Sequence, residues 1–329
     1  MPKAIRIHEY GGPEVLRYEE IDIPPPGEGE VRLRQRAIGV NFADIHTREG
    51  RYPLPFLPHP IGGEAMGVVE TVGAGVTEFS PGDRVCYSTG GHALPRGAYA
   101  EARILPADRL VRLPDDIDDQ TGAAIITKGV TAHYLLTDVY PVARGDTVLV
   151  HAAAGGVGSI LVQWARHLGA RVIGVTSTAE KAAAAEAAGC HHTIISTGEG
   201  IADRVRSLTG GEGVPVVYDA VGKDTFEESL RSLRPRGLLA CYGTSSGPPP
   251  PLDLFRLNEM GSLYVTGAAY YWHVRDRETL LRRAADLFEV ILSGAVEIPV
   301  NQRYALKDAA TAHRDMENRR TIGMSVLLP

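Results

Sequence analysis

Cysteine is scarce in this chain, with three residues in 329, at Cys86, Cys190 and Cys241. They lie too far apart in sequence for a disulfide framework or a cluster of zinc-binding thiolates. Positive charge is also short: 34 Lys and Arg stand against 40 Asp and Glu, a net charge of −6. That balance argues against a nucleic-acid partner and against an anionic membrane surface. No apolar run approaches the roughly 20 residues of a membrane span. The opening Met1–His8 lacks the apolar core of a secretory signal. A cytoplasmic protein without a membrane partner is expected. What the chain does have is bulk, with 44% hydrophobic content over its 329 residues, enough for two domains with large cores.

The most informative stretch is Gly145–Arg166, GDTVLVHAAAGGVGSILVQWAR. Thr147–His151 is apolar and β-branched, as in a buried parallel strand. Small residues follow, and then Ile160, Leu161, Trp164, Ala165 and Leu168 recur at helical spacing before Gly169. Strand, glycine turn and helix in that order form a dinucleotide cradle. The turn lets amides approach a pyrophosphate, and the helix N-terminus offers N–H groups and positive partial charge. Against the usual three-glycine pattern, Ala153 stands first, Gly155 second and Gly158 third. Alanine at the first position permits the turn if its φ stays negative. Gly155, Gly156 and Val157 are the expected contacts.

A second strand, Arg171–Thr176, ends in Thr176, Ser177 and Thr178, with Lys181 one helical turn on. A site for the unphosphorylated coenzyme places a carboxylate about 20 residues beyond the turn, on the adenosine ribose. Here no acid stands at that rim. Hydroxyls and an ammonium suit the 2′-phosphate of NADPH, which carries roughly −1.5 to −2 charges. The bland alternative makes Lys181 a solvated helix residue.

Further along, strands Val214–Asp219 and Leu238–Tyr242 alternate with helices Ile201–Leu208 and Phe226–Leu233, which implies a doubly wound parallel sheet. Tyr242, Gly243, Thr244 and Ser245 sit at a strand's carboxyl end, where such sheets bind ligands. The helix after Asp115-Asp116 is expected to start on those acids. Tyr270-Tyr271-Trp272 suits either a flat apolar pocket or a subunit interface and lid.

Across nearly its whole length the sequence resembles the NADPH:quinone oxidoreductase and zeta-crystallin branch of the medium-chain dehydrogenase/reductase superfamily. The motifs are the cradle, HEYGGPEVL at His8–Leu16, IGVNFADIH at Ile38–His46, KGVTAHYLL at Lys128–Leu136, YDAVG at Tyr218–Gly222, GTSSG at Gly243–Gly247 and GSLYVT at Gly261–Thr266. The resemblance implies an α/β protein in two parts: a GroES-like, partly open β-barrel over residues 1–125, and a Rossmann domain over 126–265. Residues 266–329 are expected to return to the first domain.

The resemblance also places NADPH in an interdomain cleft. Its nicotinamide end meets Asn41, Phe42, Asp44 and His46, and Thr131 and Tyr134 face the same cleft. Tyr134 is equally readable as a core tyrosine. Ser196 stands where relatives have an adenosine-side tyrosine, and Arg319 resembles an arginine near the NADPH phosphate. Zinc relatives carry cysteine where Asn41 stands and histidine where Gly63 precedes Glu64, so a metal-free enzyme is expected. His46 replaces a frequent tyrosine, and its imidazole can also donate a proton. The implied activity is reduction of a quinone or conjugated carbonyl by NADPH in a homodimer. The alternatives are a zinc-free 2-alkenal or enoyl-thioester reductase, and a non-enzymatic NADPH-binding crystallin-like protein.

Overall fold

The computed structural model describes residues 1–90, 96–196 and 200–329, and period-two alternation is clearest in its third strand. The first strands are β1 (Lys3–Ile7), β2 (Arg17–Glu20) and β3 (Glu30–Gly39). In β3, Val31, Leu33, Gln35 and Ala37 turn inward while Arg34 and Arg36 face solvent. A short helix α1 (Phe42–Arg48) follows, then β4 (His59–Pro60), β5 (Glu64–Val72), β6 (Arg84–Ser88), β7 (Ala102–Pro106) and β8 (Val111–Arg112). Helix α2 (Asp119–Tyr134) begins later than the sequence suggested. Its start is held by Asp118, whose carboxylate accepts from the amides of Gln120 and Thr121 at 2.9 and 3.1 Å, and not by Asp115-Asp116.

Beyond α2 come β9 (Thr147–His151), α3 (Gly156–His167), β10 (Arg171–Thr176), α4 (Ala179–Ala187), β11 (His192–Ile195), α5 (Ile201–Leu208), β12 (Val214–Asp219), α6 (Phe226–Ser232), β13 (Leu233–Cys241), α7 (Leu254–Glu259) and β14 (Tyr264–Gly267). The chain ends with α8 (Tyr270–His273), α9 (Arg277–Leu292), β15 (Val300–Ala305), α10 (Ala309–Glu317) and β16 (Met324–Leu328).

Contacts divide these elements into two units. The first holds Met1–Val130, Tyr270–Leu292 and Ile298–Pro329; the second holds Thr131–Ala269 and Ser293–Glu297. Relative to divisions at 125 and 265, the breaks fall slightly later. Lys128 in α2 still pairs with Glu64 of the first unit, and Ala268 still bonds the Cys241 carbonyl of the second. Glu297 joins the second unit by exchanging two hydrogen bonds with Gln163.

In the first unit, β15-β16-β3-β5-β6-β8 form one sheet with β7 also on β3, and β2-β1-β4 form another. Except for the parallel β15–β16 pair, the pairing is antiparallel. Ile5, Leu33, Ile38, Val69, Tyr87 and Leu327 share its core. β16 pairs with β3, which brings the tail back to this unit.

In the second unit the sheet is parallel in the order β11-β10-β9-β12-β13-β14. This is the doubly wound arrangement, and its order reverses between β9 and β12. Val148, Leu149, Val150 and His151 of β9 are all buried, as a strand covered on both faces must be.

The aromatic triplet forms one helical turn of the first unit. Tyr270 and Tyr271 line a small cavity with Ser88, Thr89, Val274 and Leu280. Trp272 is 65% exposed, with the Arg275 guanidinium 5.4 Å from its ring centre.

Candidate active site

In the second unit, the turn after β9 carries its strain at Ala152, which adopts φ 50°, while Ala153 keeps the negative φ its place requires. Gly158 has no alternative, because a Cβ there would lie 2.2 Å from the Ala152 carbonyl oxygen. Gly155 begins α3 without a side-chain cap, and the first turn holds no acid. The amide-rich end of α3 therefore lacks a negative partner from its own turn, the condition a pyrophosphate satisfies. Gly155, Gly156 and Val157 are half-buried beside it.

The rim of β10 follows. Thr178 caps α4 by accepting from the Lys181 amide at 3.2 Å, so Lys181 sits on the first turn of that helix with Thr178 exposed. Ser177 is half-buried, and the Ser196 amide bonds the Thr176 carbonyl at 3.0 Å. Thr176, Ser177, Thr178 and Ser196 thus gather at adjoining strand ends with Lys181 on the first turn of α4. Among the described residues the tip of β10 itself, Thr176–Thr178, carries no acid, the first one being Glu180 on α4. At the end of β13, Tyr242 bonds the Asp219 carbonyl through its amide, and its buried hydroxyl has no partner among the described residues. Gly243 passes so close to Ala220 that a Cβ would lie 2.7 Å from that carbonyl oxygen. Thr244 and Ser245 follow, partly or fully exposed. Thr131 is buried at the start of this unit, and Tyr134 packs as a core tyrosine with its hydroxyl 3.5 Å from the Ala268 carbonyl.

In the first unit, Asn41, Asp44 and His46 are buried at the start of α1, with Phe42 half-buried beside them. Asp44 receives the Asn41 amide at 2.9 Å, the Tyr99 hydroxyl at 3.1 Å and Arg96 at 3.4 Å. Burial nevertheless raises its pKa to about 6, against the lowering pull of Arg96. The His46 ring sits edge-on to Phe42 and Tyr52 at 5.3 and 5.4 Å. Burial and then Arg51 lower its pKa, opposed by Glu49, so the imidazole is neutral at neutral pH. Arg319 also belongs to this unit, exposed after α10 with φ 57°.

Two buried partners of these residues escape the sequence motifs. Glu64 accepts from the Asn41 side-chain amide at 3.0 Å, from the Thr127 backbone at 2.8 Å and from the Lys128 ammonium. The amide nitrogen of Asn41 is thereby aimed at Glu64, and its side-chain oxygen faces the Asp44 backbone amide in the capping box that starts α1. Tyr99 connects Asp44 to His313, which in turn meets Arg48. The available signal was a charge inside an apolar run, Glu64 before Ala-Met-Gly-Val-Val and Lys128 after Ala-Ile-Ile-Thr. Such a charge must find a buried partner.

Among the described residues no group of three or more His, Cys, Asp or Glu is placed to hold a metal. His59 uses Nδ1 on the Pro60 carbonyl at 2.6 Å. Cys86 is buried against the Val111 carbonyl, and burial pushes its thiol pKa up.

Residues 27–115 match the alcohol dehydrogenase GroES-like domain, and residues 156–286 match the zinc-binding dehydrogenase family. A quinone oxidoreductase of Pseudomonas aeruginosa is 48% identical over all of both chains. A 2-haloacrylate reductase of a Burkholderia species is 45% identical over all of this chain and 99% of its own. The Escherichia coli quinone oxidoreductase, solved with NADPH, is 42% identical over 99% of this chain and all of that one, with a TM-score of 0.96. A mycobacterial structure, also with NADPH, is 49% identical over both full chains with a TM-score of 0.94. On the cradle, the strand order and these full-length likenesses, the chain belongs to the quinone oxidoreductases of the medium-chain dehydrogenase/reductase family.

Proposed function

We propose that this protein reduces quinones with NADPH as the reductant and without a metal. The observation that carries the reading is the acid-free rim at Thr176–Thr178, next to a helix N-terminus that its own turn leaves without a negative partner. The NADPH-bound relatives support it. When bound, NADPH supplies a hydride to a conjugated carbonyl acceptor.

The chain's own groups divide the remaining tasks. Gly155, Gly156 and Val157 present the α3 terminus to the pyrophosphate, with Gly243, Thr244 and Ser245 on the same coenzyme. Ser177, Thr178 and Lys181 take the 2′-phosphate, with Ser196 on the adenosine side and Arg319 assigned to the same phosphate. Asn41, Phe42, Asp44, Thr131, Tyr134 and Tyr242 are assigned to the nicotinamide side. His46, held neutral, offers one N–H for proton delivery to the reduced acceptor. Asn41 and Gly63, where zinc relatives carry ligands, support a metal-free site.

We also propose a cytoplasmic homodimer. β14 pairs only with β13 among the described strands, so its outer edge is open. Leu254, Phe255 and Tyr264 lie exposed in the helix and strand that end the sheet. A second copy paired on that edge would cover both features. The 2-haloacrylate reductase relative keeps a second reading open, reduction of an activated alkene at the same site.

Turnover of 1,4-benzoquinone, 9,10-phenanthrenequinone and crotonyl-CoA with each coenzyme separates these readings. The quinones with NADPH are expected to be fastest, and preference for the thioester would overturn the choice. Lys181→Ala is expected to weaken NADPH more than NADH; equal weakening would reject the phosphate contact.

A further inference from the structure

The strand order of the second unit reverses between β9 and β12, and the last residues of those strands are His151 and Asp219. Both are fully buried, at 0% exposure. Asp219 Oδ1 accepts from the backbone amides of Val221 and Gly222 at 2.7 and 3.1 Å. Its Oδ2 accepts from Ser229 Oγ at 2.7 Å, and Thr225 Oγ1 lies 2.8 and 3.0 Å from the two oxygens. Ser229 has one proton, and it goes to Asp219. His151 Nε2, 2.9 Å from the same Oγ, must therefore donate, which fixes the imidazole as the Nε2–H tautomer. One chain of hydrogen bonds thus joins the strand that leads into the glycine cradle to the strand beside it.

The turn held by Asp219 in turn holds the end of β13. Ala220 and Val221 carbonyls accept from the amides of Ser245 and Ser246 at 3.2 and 2.9 Å. The Ser246 hydroxyl adds a bond to Val221 O at 2.8 Å, and the Gly247 carbonyl accepts from Lys223 N at 3.1 Å. The two loops touch backbone to backbone. Gly222, at φ +87°, would place a Cβ 2.5 Å from the Gly247 oxygen. With no room for adjustment between them, the place of Gly243–Ser246 follows from the place of Ala220–Gly222.

We propose that Asp219 is a positioning residue for the coenzyme. Through the Val221 and Gly222 amides it sets the Gly243–Ser246 strand end, and through Ser229 and His151 it ties that setting to the glycine cradle. The inference rests on the reading that this strand end and cradle hold NADPH. Asp219 itself touches no ligand, because its oxygens are occupied by four donor groups of the chain. The carboxylate provides a preformed register for two backbone segments.

The test compares Asp219→Ala and Asp219→Asn with the wild type by NADPH titration and by steady-state reduction of 1,4-benzoquinone. Asparagine keeps an oxygen for the turn amides and its neighbouring hydroxyls can rotate to accept, so its NADPH Kd should stay within about threefold. Alanine should raise Kd and the KM for NADPH by about tenfold or more, with kcat at saturating NADPH within about twofold. A folded Asp219→Ala that binds like the wild type overturns the proposal. Equal weakening in both variants also overturns it, because charge and not the turn acceptor would then matter. Ser229→Ala, which cuts the His151 link but spares the turn, serves if the alanine variant does not fold. It should raise Kd about fivefold, and an unchanged Kd overturns the tie to the cradle. A wild type that binds no NADPH removes the coenzyme reading and this proposal with it, whereas a tight-binding wild type with indifferent variants removes only the positioning role.

Discussion

His313 and Asp44 sit on the same hydrogen-bonded chain, joined through Tyr99, and burial drives their titrations in opposite senses. Burial first, and then the Arg48 guanidinium, lower the His313 pKa from 6.5 to about 3. Arg48 can only donate, so Nδ1 accepts and the proton resides on Nε2, toward Tyr99. The folded protein then binds fewer protons than the unfolded chain between these two values. The contribution of His313 is fully present above pH 6.5 and is lost as pH falls toward 3. Asp44, raised from 3.8 to about 6, does the reverse: the folded state binds more protons over that window, and ionisation opposes folding as pH rises through it. Glutamine at position 313 can accept from Arg48 and donate to Tyr99 without titrating. Thermal midpoints of His313→Gln should therefore fall less steeply than the wild type's between pH 6.5 and 4; parallel curves would contradict the assignment. For His46, the proton-delivery role predicts that His46→Tyr keeps kcat within about threefold, while His46→Phe loses at least tenfold, the low end of general acid–base catalysis being about 100-fold. Stopped-flow or steady-state quinone reduction measures both.

At the scale of elements, the cradle depends on one backbone crossing. The first turn of α3 passes the Ala152 carbonyl so closely that only glycine fits at 158, whereas a Cβ at Gly155 would stand 3.1 Å from the same oxygen. Gly158→Ala should destabilise the protein by about 1–3 kcal/mol, the usual range for overpacking, and weaken NADPH binding with it. A urea midpoint equal to the wild type's would show that the turn relaxes. The rim of β10 is a different case, because the selectivity proposed for it rests on side chains and not on a backbone crossing. Thr178 caps α4 with its hydroxyl oxygen, which ties the start of the Lys181 helix to the end of the strand. Strand–turn–helix succession made both devices readable: a β-branched run, glycines at fixed spacing and the lack of an acid two residues past β10. Helix α2 was less readable at its start. Asp115, Asp116, Asp118 and Asp119 all suit a first turn, and only the bonds accepted by Asp118 choose among them.

For the molecule as a whole, the open edge of β14 and the exposed Phe255, at 68%, make assembly testable. Sedimentation should give the wild type twice the mass of one chain, with Phe255→Glu shifted toward one; a single-chain wild type would remove the dimer. The order of strands and helices and the strand, glycine turn and helix of the cradle were legible in the sequence alone, and the proposed preference for a phosphorylated coenzyme is argued from it too, because each depends on residues close together along the chain. Backbone sterics, periodic burial and the chemistry of one strand tip act locally. The Glu64–Lys128 pair, the Asp44–Tyr99–His313–Arg48 chain and the Asp219–Ser229–His151 lock were not legible. Their members come from segments far apart in sequence, as His313 and Arg48 do. A buried charge or imidazole announces that it needs a partner, but which partner it meets is decided only when strands take their neighbours and the interior closes around them.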